Sequence, residues 1–163
     1  LVFLVTGWRR LVGTITAFTV AHSLTLAAAT FGIVIVAGPP VEACIALSIV
    51  FVAAEIVRSR QGRPGLTERS PWLIAFTFGL LHGLGFAGAL SEVGLPQQAI
   101  PLALLFFNVG VELGQLAFVA ALLLILLALG RVPIRFPDWT WRLAPYTIGA
   151  VAMFWVIERT LGA

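Results

Sequence analysis

The sequence predicts an all-α fold, a polytopic bundle of transmembrane helices, and three observations carry that prediction. Of 163 residues, 60% are hydrophobic and only 10% are charged, where soluble domains carry about 25% charged residues. The apolar residues fall in five long runs, and a helix needs about 20 residues to cross a bilayer. The basic residues are all arginine, and they sit singly or in small groups between those runs. One transmembrane domain, residues 1–163, follows, with the lipid bilayer as its surroundings. The net charge of +3 belongs to topology, not to a basic face, so nucleic acid is excluded as a partner. A single cysteine, Cys44, lies in an apolar run and reads as a small buried hydrophobe. It supports neither a disulfide framework nor a Cys-rich metal site.

Residues 1–7 are apolar and precede Trp8-Arg9-Arg10. They are too few for a span and lack the marks of a signal peptide, so they read as the end of a partial helix. The first complete span is placed at 13–37, stopping at Gly38-Pro39-Pro40, and the second at 41–57. A polar loop, 58–70, ends in Ser70-Pro71, a cap followed by a proline suited to a first helical position. The third span is placed at 72–90, followed by a short connection around Gly94-Leu95-Pro96. The fourth, 100–129, is long enough to tilt or to project beyond the hydrocarbon. A loop with two prolines leads to the last span, 142–161, which tolerates Pro145 in its first turns.

Counting crossings puts Arg9, Arg10, Arg58, Arg60, Arg63, Arg69, Arg131, Arg135 and Arg142 on one side and only Arg159 on the other. The positive-inside rule makes loops 8–12, 58–70 and 130–142 cytoplasmic and the C-terminus periplasmic. Trp8, Trp72, Trp139 and Trp141 then form a belt at the cytoplasmic boundary, with Trp155 toward the other.

Ionisable residues inside hydrocarbon are costly and face a bundle interior or a water-filled cavity. Three stand near mid-span: His22, His82 and Glu112. His22 lies beside a helical stripe of Thr16, Thr19, Ser23 and Thr30. Those hydroxyls suit interhelical hydrogen bonds, and imidazole is the commonest side-chain metal ligand. His82 sits among Gly79, Gly83, Gly85 and Gly88. The G-x-G-x-x-G spelled there lacks the preceding strand of a nucleotide site, so Gly79 and Gly83 read as close helix packing. Asn108, Glu112 and Gln115 share one helical face, beside a second small pair, Gly110 and Gly114. At mid-membrane Glu112 is either neutral and hydrogen-bonded or accompanied by a cation. Glu55, near the cytoplasmic end of its span, suits either a ligand on the metal's way in or a pair with Arg58. Two imidazoles and a carboxylate suit nickel, cobalt, zinc or iron, as substrate or ligand. Asn108, Gln115, Ser23, Thr19 and Glu55 are the candidate weaker ligands or supports.

Three stretches together resemble the HupE/UreJ family, covering most of residues 13–129: Ile15–Leu26 around His22, Phe78–Ala87 around His82, and Phe107–Gln115 around Glu112. The resemblance implies a small multi-pass protein of the bacterial inner membrane, tied to nickel supply and regarded as a nickel permease. It places the metal ligands at His22, His82 and Glu112. The family's His-rich first helix has no counterpart in residues 1–163, and Phe86 stands where some nickel permeases carry a second histidine. The expected function is therefore transition-metal transport or delivery, and not an enzyme. The alternatives are a non-catalytic subunit or assembly factor among other membrane subunits, or an intramembrane metal-dependent hydrolase, although no HExxH occurs.

Overall fold

The computed structural model describes residues 4–92, 96–131 and 137–162, with side chains described except at 87–92. The regular structure among these residues is all helical, with no strand among them. The helices are α1 (Trp8–Thr30), α2 (Gly38–Arg60), a single turn α3 (Leu66–Arg69), α4 (Pro71–Glu92), α5 (Ile100–Gly130) and α6 (Leu143–Leu161). Short 3₁₀ turns, Gln97–Ala99 and Thr140–Arg142, lead into α5 and α6.

The proline positions decide two of the helix starts. Pro39 and Pro40 open α2, where an N–H would lack an intrahelical partner in any case. Pro101 sits likewise in the first turn of α5. The N-terminal region differs from expectation. Residues 4–7 are not helical, and α1 begins at Trp8, so Arg9 and Arg10 belong to its first turn and do not end an earlier helix. Residues 1–3 lie outside the described residues. Gly7, at φ 94°, makes the turn into α1. Leu4 and Val5 are buried, and Val5 packs with Leu11 and Ile15. A hydrophobic segment thus folds back on α1 without being helix. At the other end α1 stops at Thr30, short of residue 37, because the chain turns at Gly32 (φ 72°).

α1, α2 and the segment Gln97–Gly130 are each long and apolar enough to cross a membrane. The part of α4 with described side chains, Pro71–Phe86, is likewise apolar. α6 ends in Glu158, Arg159 and Thr160, which lower its apolar character.

Neighbouring helices follow the order α5, α1, α4, α2, α6. α1 and α4 run parallel: Gly79 meets Phe18 and Ala21, and Gly83 meets His22 and Thr25. α2 runs antiparallel to α4, with Phe51 on Phe78 and Ile45 on Gly85. α6 runs antiparallel to α2, pairing Arg159 with Glu42 and placing Gly149 on Ala53. α5 runs antiparallel to α1, with Leu104 near Leu26 and Leu116 near Ile15. This arrangement brings Arg9, Arg10, Arg58, Arg60, Arg63, Arg69, Arg131 and Arg142 to one end of the bundle, while Arg159 stands at the other. Arg135 lies outside the described residues. Cys44 is exposed on the outer face of α2, against the expectation of burial.

Candidate metal site

The tightest contact in the fold positions the site. A Cβ at Gly79 would collide with the Phe18 carbonyl and the Ala21 side chain, and one at Gly83 with Thr25 Oγ1 and the His22 carbonyl. Only glycine at these positions lets the α4 backbone approach α1 so closely, as the small-x-x-x-small spacing predicts. The approach sets the histidines of the two helices around shared aromatic walls.

On α1, Phe18 and His22 are four residues apart and share a face, as do His82 and Phe86 on α4. Because the helices are parallel, the pairs meet crosswise. Phe18 lies 5.3 Å from His82 and His22 lies 5.5 Å from Phe86, both edge-on and measured between ring centroids. Phe18 also stacks on His22 at 5.9 Å. Phe107 of α5 closes the group, 6.2 Å from His22 and 6.0 Å from Phe86.

His22 is 2% exposed, and neither Nδ1 nor Nε2 has a hydrogen-bond partner among the described residues. Leaving a buried polar group unpartnered costs about 1–3 kcal/mol. His82 differs, for its Nε2 lies 3.2 Å from Ser48 Oγ of α2. The single Ser48 hydroxyl hydrogen is used on the Ile45 carbonyl at 2.7 Å. With the Ser48 hydrogen on Ile45, the tautomer that completes this contact has Nε2–H donating to Ser48 and the lone pair on Nδ1.

Glu112 occupies a separate oxygen-rich group nearer the Arg-rich end. Thr16 donates to Glu112 Oε1 at 2.7 Å, and Thr19 donates to Oε2. Thr19 Oγ1 also lies 3.3 Å from both Gln115 Oε1 and the Ile15 carbonyl. Two hydroxyl hydrogens thus face four acceptor oxygens. His22 follows Thr19 by three residues, about 4.5 Å along the α1 axis at 1.5 Å per residue.

The candidate residues accordingly divide. His22 and His82 share the aromatic chamber, whereas Glu112, Thr19 and Gln115 form the oxygen group. Among the described residues no group of three or more His, Cys, Asp and Glu side chains is arranged to hold a metal ion. Ser23 spends its hydroxyl on the Thr19 carbonyl at 2.6 Å, and the Asn108 amide donates to the Leu104 carbonyl at 2.8 Å. Asn108 Oδ1 is buried without a partner. Glu55 is 4% exposed and joins neither group. Its Oε2 accepts the Thr67 backbone N–H at 2.9 Å, pinning α3 beneath α2, and its carboxylate fills the space a Cβ on Gly65 would need. It forms no ion pair with Arg58, because the loop returns to it first.

Phe18, Phe107 and Ser48 were not among the expected site residues. Phe18 is detectable as the residue one turn before His22. Ser48 and Phe107 carry no such signal, since each is brought in from another helix.

Helical described residues, three membrane-length helices and two imidazoles packed among the same aromatic rings, one of them buried, define a polytopic membrane protein with a polar group in its interior. A family model described as HupE / UreJ protein matches residues 1–159, and the chain belongs to that family. Comparison with curated proteins gives no match, and comparison with solved structures gives none.

Proposed function

We propose that this protein is a transition-metal permease or metal-delivery protein of the bacterial inner membrane, with nickel as its cargo. Family membership and the apolar helices support membrane metal transport. The observation that carries the reading is His22, an imidazole buried at 2% exposure with both nitrogens unpartnered, beside a second histidine across Phe18. A borderline-soft cation suits such nitrogens.

In this reading all five long helices cross the bilayer. The Arg-rich end, including loops 8–12, 58–70 and 130–142, is cytoplasmic, and the C-terminus is periplasmic. His22 and His82 Nδ1 hold the ion. Glu112, with Thr19 and Gln115, offers hard oxygens about one turn toward the cytoplasm. The ion exchanges between the imidazole pair and Glu112, so full coordination never forms in one place, which suits passage better than storage. The chemistry asked of the chain is ligand exchange, not bond cleavage, and the protein is not an enzyme.

Nickel binding to the purified protein and nickel uptake by cells test this reading. His22→Ala and His82→Ala are each expected to weaken binding at least tenfold, about 1.4 kcal/mol, and to abolish uptake. If both variants bind and transport nickel like the parent, the reading fails.

A further inference from the structure

Two grooves lie along the α2–α6 seam, one toward each end of the bundle. The groove at the Arg159 end, about 260 Å³, is lined by Glu42, Ile45, Ala46, Ile49, Trp155 and Arg159. The groove at the Arg-rich end, about 230 Å³, is lined by Ile56, Arg60, Thr140, Trp141, Ala144 and Pro145. Each combines one arginine, one tryptophan and an apolar floor. They differ in charge balance. Arg159 is neutralised by Glu42 at 2.5 Å, with Glu158 at 3.8 Å. Arg60 has no carboxylate partner among the described residues, whose ion pairs all belong to Arg159.

One further positive charge stands beside the second groove: Arg142 lies with its guanidinium carbon 5.5 Å from the ring of the lining residue Trp141. Its floor is apolar, with Ile56 at 8% exposure and Pro145 buried. The Thr140 hydroxyl donates its hydrogen to the Pro137 carbonyl at 2.8 Å, so that hydrogen is not offered to an anion and the cations must meet it. At about 30 Å³ for each water-sized group, the groove has room for a phosphate and the glycerol carbons next to it.

We propose that this groove binds the headgroup of an anionic phospholipid, with the phosphate on Arg60 and the glycerol and upper acyl chain on Ile56, Ala144 and Pro145. Basic pockets between helices on the cytoplasmic side of a membrane bind such headgroups. An arginine fork suits a phosphate, and the tryptophan suits the interface. A soluble acidic peptide would meet the arginines but leave the apolar floor uncovered. A lipid covers both. The proposal rests on the orientation given above, with the Arg-rich end cytoplasmic, but not on the metal, because none of its residues is among the histidines or Glu112.

The test is native mass spectrometry of the full chain in detergent, titrated with phosphatidylglycerol or with phosphatidylcholine of the same acyl chains. Phosphatidylglycerol is expected to bind in preference. Arg60→Gln is expected to lower its occupancy about fivefold, the effect of one arginine at an anionic headgroup, and to leave phosphatidylcholine unchanged. Arg159→Gln, which removes a charge already paired, is expected to keep the preference. Ala144→Trp fills the groove while sparing Arg60, and is expected to remove the preference as well. The proposal is overturned by equal binding of the two lipids, or by retained preference in both Arg60→Gln and Ala144→Trp. It is also overturned if inorganic phosphate or a poly-glutamate peptide displaces phosphatidylglycerol at comparable concentration, since the groove would then recognise an anion without the lipid.

Discussion

α1 meets two helices in two different ways. Against α4 it packs backbone to backbone, through glycines with no room for a Cβ. Against α5 it is held by the Thr16 and Thr19 bonds to Glu112 and by small apolar clusters. None of the most apolar stretch of α5 is buried, and a Cβ at Gly110 or Gly114 would meet open space. The small-x-x-x-small spacing therefore means contact on α4 and not on α5. The same spacing is used where a partner helix lies over it, so the motif permits close approach but does not create it. The imidazole pair accordingly rests on the rigid seam, and the Glu112 group on the seam with the lesser hold.

The comparison predicts a descending series of effects. The largest belongs to Gly83→Leu, whose side chain would force α4 away from the His22 carbonyl and Thr25. Overpacking costs about 1–3 kcal/mol even where side chains can yield, and here backbone must move. Loss of a monodisperse peak in detergent size exclusion is the expected result, and a parent-like melting temperature would break the account of the α1–α4 seam.

Next comes Phe86→His, which puts a third imidazole beside His22, where the rings lie 5.5 Å apart. Nickel affinity is expected to rise about tenfold, about 1.4 kcal/mol. Calorimetry of the purified variant reads it, and unchanged affinity would argue that the chamber does not hold the ion.

Glu112→Leu removes the acceptor of both threonine bonds at the looser seam. Bonds between membrane helices average about 0.6 kcal/mol and reach about 1.7, so thermal stability is expected to fall by a few degrees. Hydrogen exchange should rise in α5 and not in α4; equal rises in both helices would show that the two seams open together.

The smallest effect is that of Gly114→Leu, where the added side chain meets open space. Its unfolding free energy in a detergent melt should stay within about 0.5 kcal/mol of the parent's. A larger fall would reveal a partner on that face of α5.

Much of the fold was legible because composition and proline placement act locally. The starts of α2, α4 and α5 lie within three residues of expectation, each beside a proline. The start of α1 was not legible, for nothing local separates residues 4–7 from a helical apolar segment. The apolar runs likewise pointed to five long helices; among the described residues, length and composition qualify three of them as spans. Among site residues, the polar ones could be found because a polar side chain in an apolar run stands out. Their grouping could not, since it depends on which helices are neighbours. Glu55 shows the limit most clearly. Its sequence neighbours suggested a pair with Arg58 or a ligand on the metal's way in, and the loop supplied the Thr67 N–H.

The sequence by itself determined an apolar helical chain, arginines set between its apolar runs, and two histidines and a glutamate in the middle of three of those runs. Burial, period and charge are properties of single segments and can be read along one dimension. Tertiary structure alone decided that α1 and α4 lie parallel in backbone contact, that Phe107 completes the wall around His22, and that Glu112 stands with threonines and not with the imidazoles. Those are relations between helices far apart in sequence, settled by which surfaces fit together at close range.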